Sequence, residues 1–186
     1  MTYRTLTKHL HKDSNTLAHI FQTYAQLKLI SKGKQLHAQL ITSGYRSSIY
    51  LTNHLLSMYG RCGQLVYAHN LFDKMPQRNL VSWTAMIFGF SQNSEYLKAI
   101  TTFCMMWVSS ESPNQFAFSS VIQACSFLES VQVGKQIHCL ALKVGFSHEL
   151  FVGSNLADMY SKCGLMVEAC MVLRRCHPRM KYYGIQ

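Results

Sequence analysis

The chain has 186 residues, 48% of them hydrophobic, and 18 Lys+Arg against 8 Asp+Glu give it a net charge of +10 at pH 7. That hydrophobic share can build a packed core and excludes disorder throughout. The charge favours a polyanionic partner, nucleic acid before an anionic membrane surface, with a basic protein lacking any such partner as the open alternative.

In chain order, residues 1–12 carry Arg4, Lys8, Lys12 and three threonines without a carboxylate, and read equally as a short transit segment or a solvated terminus. Beyond them apolar residues recur at helical spacing. Leu36, Leu40 and Ile41 form one stripe, followed by Leu51, Leu55, Leu56 and Tyr59. Trp83, Met86, Ile87 and Phe90 form the next, then Leu97, Ile100, Phe103 and Trp107. Punctuation falls between the stripes, at Gly44, Gly63, Pro76, Asn93-Ser94, Pro113, Gly145, Gly164 and Pro178. Gly63 and Gly164 stand where a helix should end, because glycine accepts the left-handed conformation of a C-terminal cap. This pattern predicts about ten helices of 10–15 residues with little room for strands. Ala68, Ala99 and Ala169 fall where helices must approach closely.

A block of the chain is written twice. Gly33-Lys34-Gln35-Leu36-His37 returns as Gly134-Lys135-Gln136-Ile137-His138, and Met58-Tyr59 returns as Met159-Tyr160, both at a shift of 101 residues. Over residues 33–69 and 134–170 the two copies share 12 of 37 positions. Gapless self-similarity indicates stacked repeats, and such arrays usually serve as binding surfaces. The recurrence of His37 and His138 is explained by a shared packing place.

The strings GKQLHAQLITSGY, MYGRCG, LFDKMPQRNLVSWTAMI and MYSKCG resemble the pentatricopeptide repeat family, in the plant subclass that alternates standard, long and short motifs. The resemblance covers residues 14–180, with motifs at 14–48 (long), 49–79 (short), 80–114 (standard), 115–149 (long) and 150–180 (short), flanked by tails at 1–13 and 181–186. It implies an all-α fold, a right-handed α-solenoid of stacked antiparallel helix hairpins, binding single-stranded RNA at about one base per motif. From about residue 171 the repeat pattern degenerates.

In the family, base choice rests mainly on the fifth and last residues of a motif. Here these are Asn53 with Asn79, implying a pyrimidine, and Thr84 with Asn114, implying adenine. An Asn amide offers donor and acceptor to a base edge, and a Thr hydroxyl adapts to either. The second positions, Tyr50, Val81, Phe116 and Phe151, are expected to sandwich bases, with ordinary core packing as the alternative. Ala18/Ser48 and Ser119/Glu149 of the long motifs carry no base assignment, and Ser154/Met180 pairs a hydroxyl with a poor base reader.

Reaction chemistry is missing. The histidines and cysteines show neither the H-x-E nor the C-x-x-C of the deaminase domains found in many members of this subclass, and the C-terminal extension preceding such domains is not seen. No phosphate-binding glycine loop, nucleophile elbow or H-E-x-x-H motif occurs. The seven cysteines are expected to be reduced and mostly buried, and the loose Cys170, Cys176, His177 group to be a frayed end rather than a metal site. No apolar run approaches the ~18 residues that span a bilayer.

The expectation is thus a non-enzymatic, sequence-selective RNA-binding adaptor without metal or cofactor. It would act on organellar transcripts, mitochondrial before chloroplast, together with RNA-editing or processing proteins supplied in trans. The alternatives are a solenoid scaffold for protein partners and a truncated remnant without RNA specificity of its own.

Overall fold

A computed structural model describes residues 14–43, 48–109 and 111–176. They form ten α-helices and one short 3-10 turn, and no strand occurs among the described residues. The helices are α1 (Ser14–Gln26), α2 (Ile30–Thr42), α3 (Ile49–Arg61), α4 (Leu65–Asp73), α5 (Leu80–Gln92), α6 (Tyr96–Val108), α7 (Gln115–Phe127), α8 (Val131–Lys143), α9 (Leu150–Lys162) and α10 (Met166–Cys176). The turn Phe146–His148 leads into α9. The chain divides into two compact units, Met1–Gly89 and Phe90–Gln186, with the division inside α5. The tails 1–13 and 181–186, Gly44, His177, Pro178 and Met180 lie outside the described residues.

Each odd-numbered helix stops at a residue with left-handed backbone. In α3 the amide of Gln64 donates to Tyr59 O at 2.8 Å and that of Gly63 to Gly60 O at 3.1 Å, the paired bonds of a Schellman cap. Leu165 to Tyr160 O at 2.8 Å and Gly164 to Ser161 O at 3.0 Å repeat it after α9. Gly63 and Gly164 hold φ of 71° and 76°, as a left-handed cap requires. The same place after α1, α5 and α7 is taken by Lys28, Ser94 and Glu129, with φ of 51°, 62° and 49°.

In the first unit α1 packs along α3, while α2 and α4 cover them from the side. Leu17, Phe21, Leu51, Leu55, Leu56 and Met58 fill the contact, each no more than 5% exposed. Burial on this scale supplies roughly 1.5–3 kcal/mol for each large side chain. Small residues let backbones meet: a Cβ on Gly60 would stand 3.3 Å from Gly89 Cα, and one on Gly89 would stand 3.4 Å from Gly60 Cα. In the second unit α7 packs along α9, flanked by α6, α8 and α10, around Phe103, Phe118, Val121, Ile122, Leu156 and Met159.

The repeated block has a packing reason. Gly33 in α2 lies against the Met58 thioether, and Gly134 in α8 against Met159, where an added Cβ would come within 2.6 Å of Sδ. The glycine and the methionine of the repeat thus specify each other. The Tyr59 hydroxyl and His37 Nδ1 are 2.8 Å apart, and Tyr160 with His138 repeats the distance. These residues recur because they join the second helix of one hairpin to the first helix of the next.

Two expectations are corrected. Of the seven cysteines only Cys125 is buried, while Cys104, Cys139 and Cys170 are exposed and Cys62, Cys163 and Cys176 lie between. The exposed ones sit on second helices, whose outer faces meet solvent. For the same reason Ile41 and Leu97, members of the apolar stripes, are 66% and 70% exposed. The buried face of α6 is instead Ala99, Thr102, Phe103 and Met106. Ala68, Ala99 and Ala169 are buried, as close helix approach demands.

Candidate nucleic-acid interface

The last residue of each of the first four proposed motifs stands immediately before a first helix, in the capping place. Ser48 Oγ accepts from Leu51 N at 3.3 Å, and Asn114 Oδ1 accepts from Ala117 N at 2.9 Å. Asn79 Oδ1 accepts from Ser82 N at 3.0 Å, and Asn79 N donates back to Ser82 Oγ at 3.3 Å. The pair forms a reciprocal cap in the manner of a capping box. Glu149 precedes α9 without a side-chain cap bond. A capping asparagine commits its carbonyl oxygen to the helix, and not its amide nitrogen. That leaves a donor for a ligand.

Asn53 and Asn79 are brought together. Asn53 Nδ2 donates to Asn79 Oδ1 at 3.2 Å, and the Ser82 hydroxyl reaches Asn53 Oδ1 at 2.7 Å and Asn79 Oδ1 at 3.0 Å. Asn53 is only 8% exposed and Ser82 fully buried. Asn53 is therefore turned into the protein, and Asn79 is the more accessible member of the pair. Ser82 is the residue that sequence reasoning missed. Its only local signal is its place three residues after a capping Asn, since its bond to Asn53 spans 29 residues.

Thr84 belongs to the first unit and Asn114 to the second, and each is held by its own helix. Thr84 Oγ1 donates to Leu80 O at 2.7 Å, one turn back. Among the long-motif residues Ala18 is buried, and Ser119 Oγ is buried without a hydrogen-bond partner among the described residues. Ser154 is exposed.

Tyr50, Val81, Phe116 and Phe151 are 46%, 56%, 55% and 65% exposed, which disposes of the core-packing alternative for them. Each is the second residue of its helix, next to the capping position. Tyr50 meets the His54 ring edge-on at 4.9 Å. Tyr50 belongs to a basic stretch of the chain: residues 14–72 contain Lys28, Lys32, Lys34, Arg46 and Arg61 and no carboxylate at all. In the second unit acids are present but partly paired, as in Lys162–Asp158 at 2.8 Å and Lys98–Glu95 at 3.1 Å.

Titration behaviour follows burial. Desolvation lowers the pKa of His37 and His138, the latter helped by the Arg175 charge, so both favour the neutral ring. Burial, then neighbouring Tyr67, pushes Tyr59 up to about 12. Cys125 is likewise pushed up to about 12 by burial and then by Cys163 and Cys104, which makes it an inert thiol. Among the described residues no group of three His, Cys, Asp or Glu could hold a metal ion, and no helix is long and apolar enough to cross a membrane.

Paired helices with capping residues at fixed intervals define a helical-repeat protein. The PPR repeat family model matches residues 51–80 and 81–110, so the chain carries pentatricopeptide repeats. Its relatives agree. It is 37% identical over 163 residues to pentatricopeptide repeat-containing protein At4g33170 of Arabidopsis thaliana, covering 88% of this chain and 16% of that protein. It is 41% identical over 145 residues to pentatricopeptide repeat-containing protein At3g24000, mitochondrial, of the same plant, covering 78% of this chain and 23% of the relative. The crystal structure of pentatricopeptide repeat protein PPR10 from maize superposes with a TM-score of 0.68 at 18% identity, over 89% of this chain and 24% of that one. The fold class is thus the all-α helical-repeat solenoid expected from sequence. The chain spans about a quarter or less of the length of the relatives it matches.

Proposed function

We propose that the chain is a sequence-selective adaptor for single-stranded RNA, serving organelle RNA processing or editing by recruiting other proteins to a transcript. The reading takes the motif frame 14–48, 49–79, 80–114, 115–149 and 150–180 and the subclass that alternates standard, long and short motifs. It places the protein in the mitochondrion, with the chloroplast as alternative; the mitochondrial designation of three Arabidopsis relatives supports the first.

The observation that carries the reading is the fixed amide of Asn79. Its oxygen caps α5 and meets Asn53, so its nitrogen is the donor left for a base, within a motif pair whose second residues Tyr50 and Val81 are exposed. A donor at that point suits the acceptors of a pyrimidine ring. Asn114 is committed in the same way to Ala117, and with Thr84 it reads adenine in this scheme. Phe116 and Phe151 supply stacking faces, worth about 1–3 kcal/mol per base where a base lies on them.

A panel of short RNA oligonucleotides in a filter-binding assay tests this. Adenine-dependent binding should disappear in Thr84→Ala plus Asn114→Ala. Asn79→Asp keeps the capping oxygen, so stability should stay within a few tenths of a kcal/mol, while the donor becomes an acceptor and the base preference at that motif changes. Binding indifferent to base identity in both variants defeats the proposal.

A second reading, a scaffold for protein partners, draws on exposed apolar residues of the second helices. Val66, Leu97, Val108 and Val167 are 70–84% exposed. Indifference to RNA at every salt concentration would favour it.

A further inference from the structure

In the first unit an open pocket of about 150 Å³ lies between α1 and α3, lined by Gln22, Ala25, Gln26, His54, Ser57 and Arg61. It runs along α3 from His54, next to Asn53, to Arg61, which follows Asn53 by eight residues, roughly 12 Å along the helix axis. Its lining is rich in donors. Two side-chain amides, a hydroxyl, an imidazole and a guanidinium converge there, in a stretch of chain without a carboxylate.

Three features decide what such a pocket accepts. First, it sits beside the C-terminal turns of both helices, since α1 ends at Gln26 and α3 at Arg61. Helix C-termini carry partial negative charge and disfavour an anion within the last turn. Second, Arg61 is the one permanent cation in the lining, because burial and the nearby His19 lower the pKa of His54 and keep its ring neutral near pH 7. Third, the volume suits one small flat ring system. It exceeds what a single ion needs and falls short of the roughly 300 Å³ at which sites for drug-sized ligands begin. A neutral heterocycle bearing acceptors fits all three better than a phosphate group does.

Arg61 selects among heterocycles. Its guanidinium centre lies 5.8 Å from the Phe88 ring centroid, within cation–π range, so one side of the cation is supported by protein while its N–H groups stay available. Guanine presents O6 and N7 as two adjacent acceptors, which match the two parallel N–H groups of an arginine fork. Adenine would bring its N6 donors against those same N–H groups, and pyrimidines lack the paired acceptors. The Gln22 and Gln26 amides can accept from guanine's own N–H groups while donating elsewhere.

We propose that the α1–α3 pocket is a guanine-binding subsite in which Arg61 reads the O6/N7 edge and Gln22, Gln26 and Ser57 bond the rest of the ring. It would add a base contact outside the pairs formed by fifth and last motif residues. The RNA-binding reading supplies the source of the guanine, but the pocket can be tested without it.

The test follows the side-chain N–H signals of Gln22, Gln26 and Arg61 by NMR in the full chain titrated with GMP, AMP and inorganic phosphate. GMP should shift these signals with a Kd on the order of tenfold or more below that of AMP, the discrimination expected of one bidentate contact, and phosphate should leave them in place. Arg61→Lys keeps the charge, loses the fork and should abolish the preference at unchanged helix content by circular dichroism. Equal shifts by GMP and phosphate, equal Kd for GMP and AMP, or a preference surviving in Arg61→Lys would each overturn the proposal. If oligonucleotides bind while GMP moves none of these signals, the pocket assignment falls and the RNA-binding reading stands. If GMP binds selectively while no oligonucleotide does, the converse holds.

Discussion

Ser82 shows how one hydroxyl sets the accessibility of two side chains, Asn53 and Asn79. It accepts from Asn79 N while its own proton serves the oxygens of Asn53 and Asn79, at full burial. Ser82→Ala would leave Asn53 Oδ1 buried without its 2.7 Å partner. The expected loss is about 1–3 kcal/mol, the cost of stranding a buried polar atom, measurable as a lower urea midpoint. Unchanged stability would mean that Asn53 finds water instead and is more accessible than the geometry indicates. At this scale the sequence was half legible. The positions of Asn53 and Asn79 followed from the repeat pattern, but their mutual bond and the inward turn of Asn53 did not. Both depend on Ser82, which lies in α5 rather than α3, and no local pattern at Asn53 announces a partner 29 residues away. Arg61 was equally silent, since a lone basic residue at a helix end reads as a solvated charge until Gln22 and Gln26 are seen opposite it.

The helix ends are where sequence and structure can be played against each other. Gly63 and Gly164 were legible as caps because glycine is the residue that accepts positive φ at no steric cost. Lys28, Ser94 and Glu129 occupy the equivalent places with φ of 51°, 62° and 49°, and nothing in their chemistry reveals it. Together the five caps recur at steps of 35, 31, 35 and 35 residues. The left-handed region costs a non-glycine residue roughly 1–2 kcal/mol. Lys28→Gly, Ser94→Gly and Glu129→Gly should therefore each stabilise the chain, by up to about 1 kcal/mol once the greater freedom of glycine in the unfolded state is subtracted. Thermal melts of the three variants check this. Gly63→Ala, with the opposite sign, is the control. The apolar stripes were less faithful guides at this scale. Phe103 is buried, whereas Leu97 in the same stripe is exposed, because a second helix buries only the narrow face set by Ala99, Thr102, Phe103 and Met106.

Across the whole molecule the repeat was the legible feature, and it carries a consequence for pH. Each compact unit contains one copy of the same contact, His37 with Tyr59 and His138 with Tyr160, both at 2.8 Å. The copies have different surroundings: Lys34 stands over the Tyr67 ring that stacks on Tyr59, while Arg175 acts on His138. Both histidines nevertheless shift the same way, below the ordinary 6.5, with burial as the leading cause. A histidine whose folded pKa lies below its unfolded value binds fewer protons when folded. Its contribution is therefore complete above about pH 6.5 and is lost as the pH falls through that value toward the folded pKa. His54 shifts in the same direction and adds to the effect. Both units should lose stability on acidification from pH 7.5 to 5, seen as falling denaturation midpoints with an unchanged slope at each pH. Substituting His37→Gln and His138→Gln removes the titration and the ring's bond to each tyrosine while keeping a polar side chain there. The double variant should be less stable at pH 7.5, by about 1 kcal/mol for each lost bond, yet lose less on acidification than the parent. A parent whose midpoint is flat from pH 7.5 to 5, or a double variant that falls just as steeply, would show that the duplicated histidines pack without sensing protons.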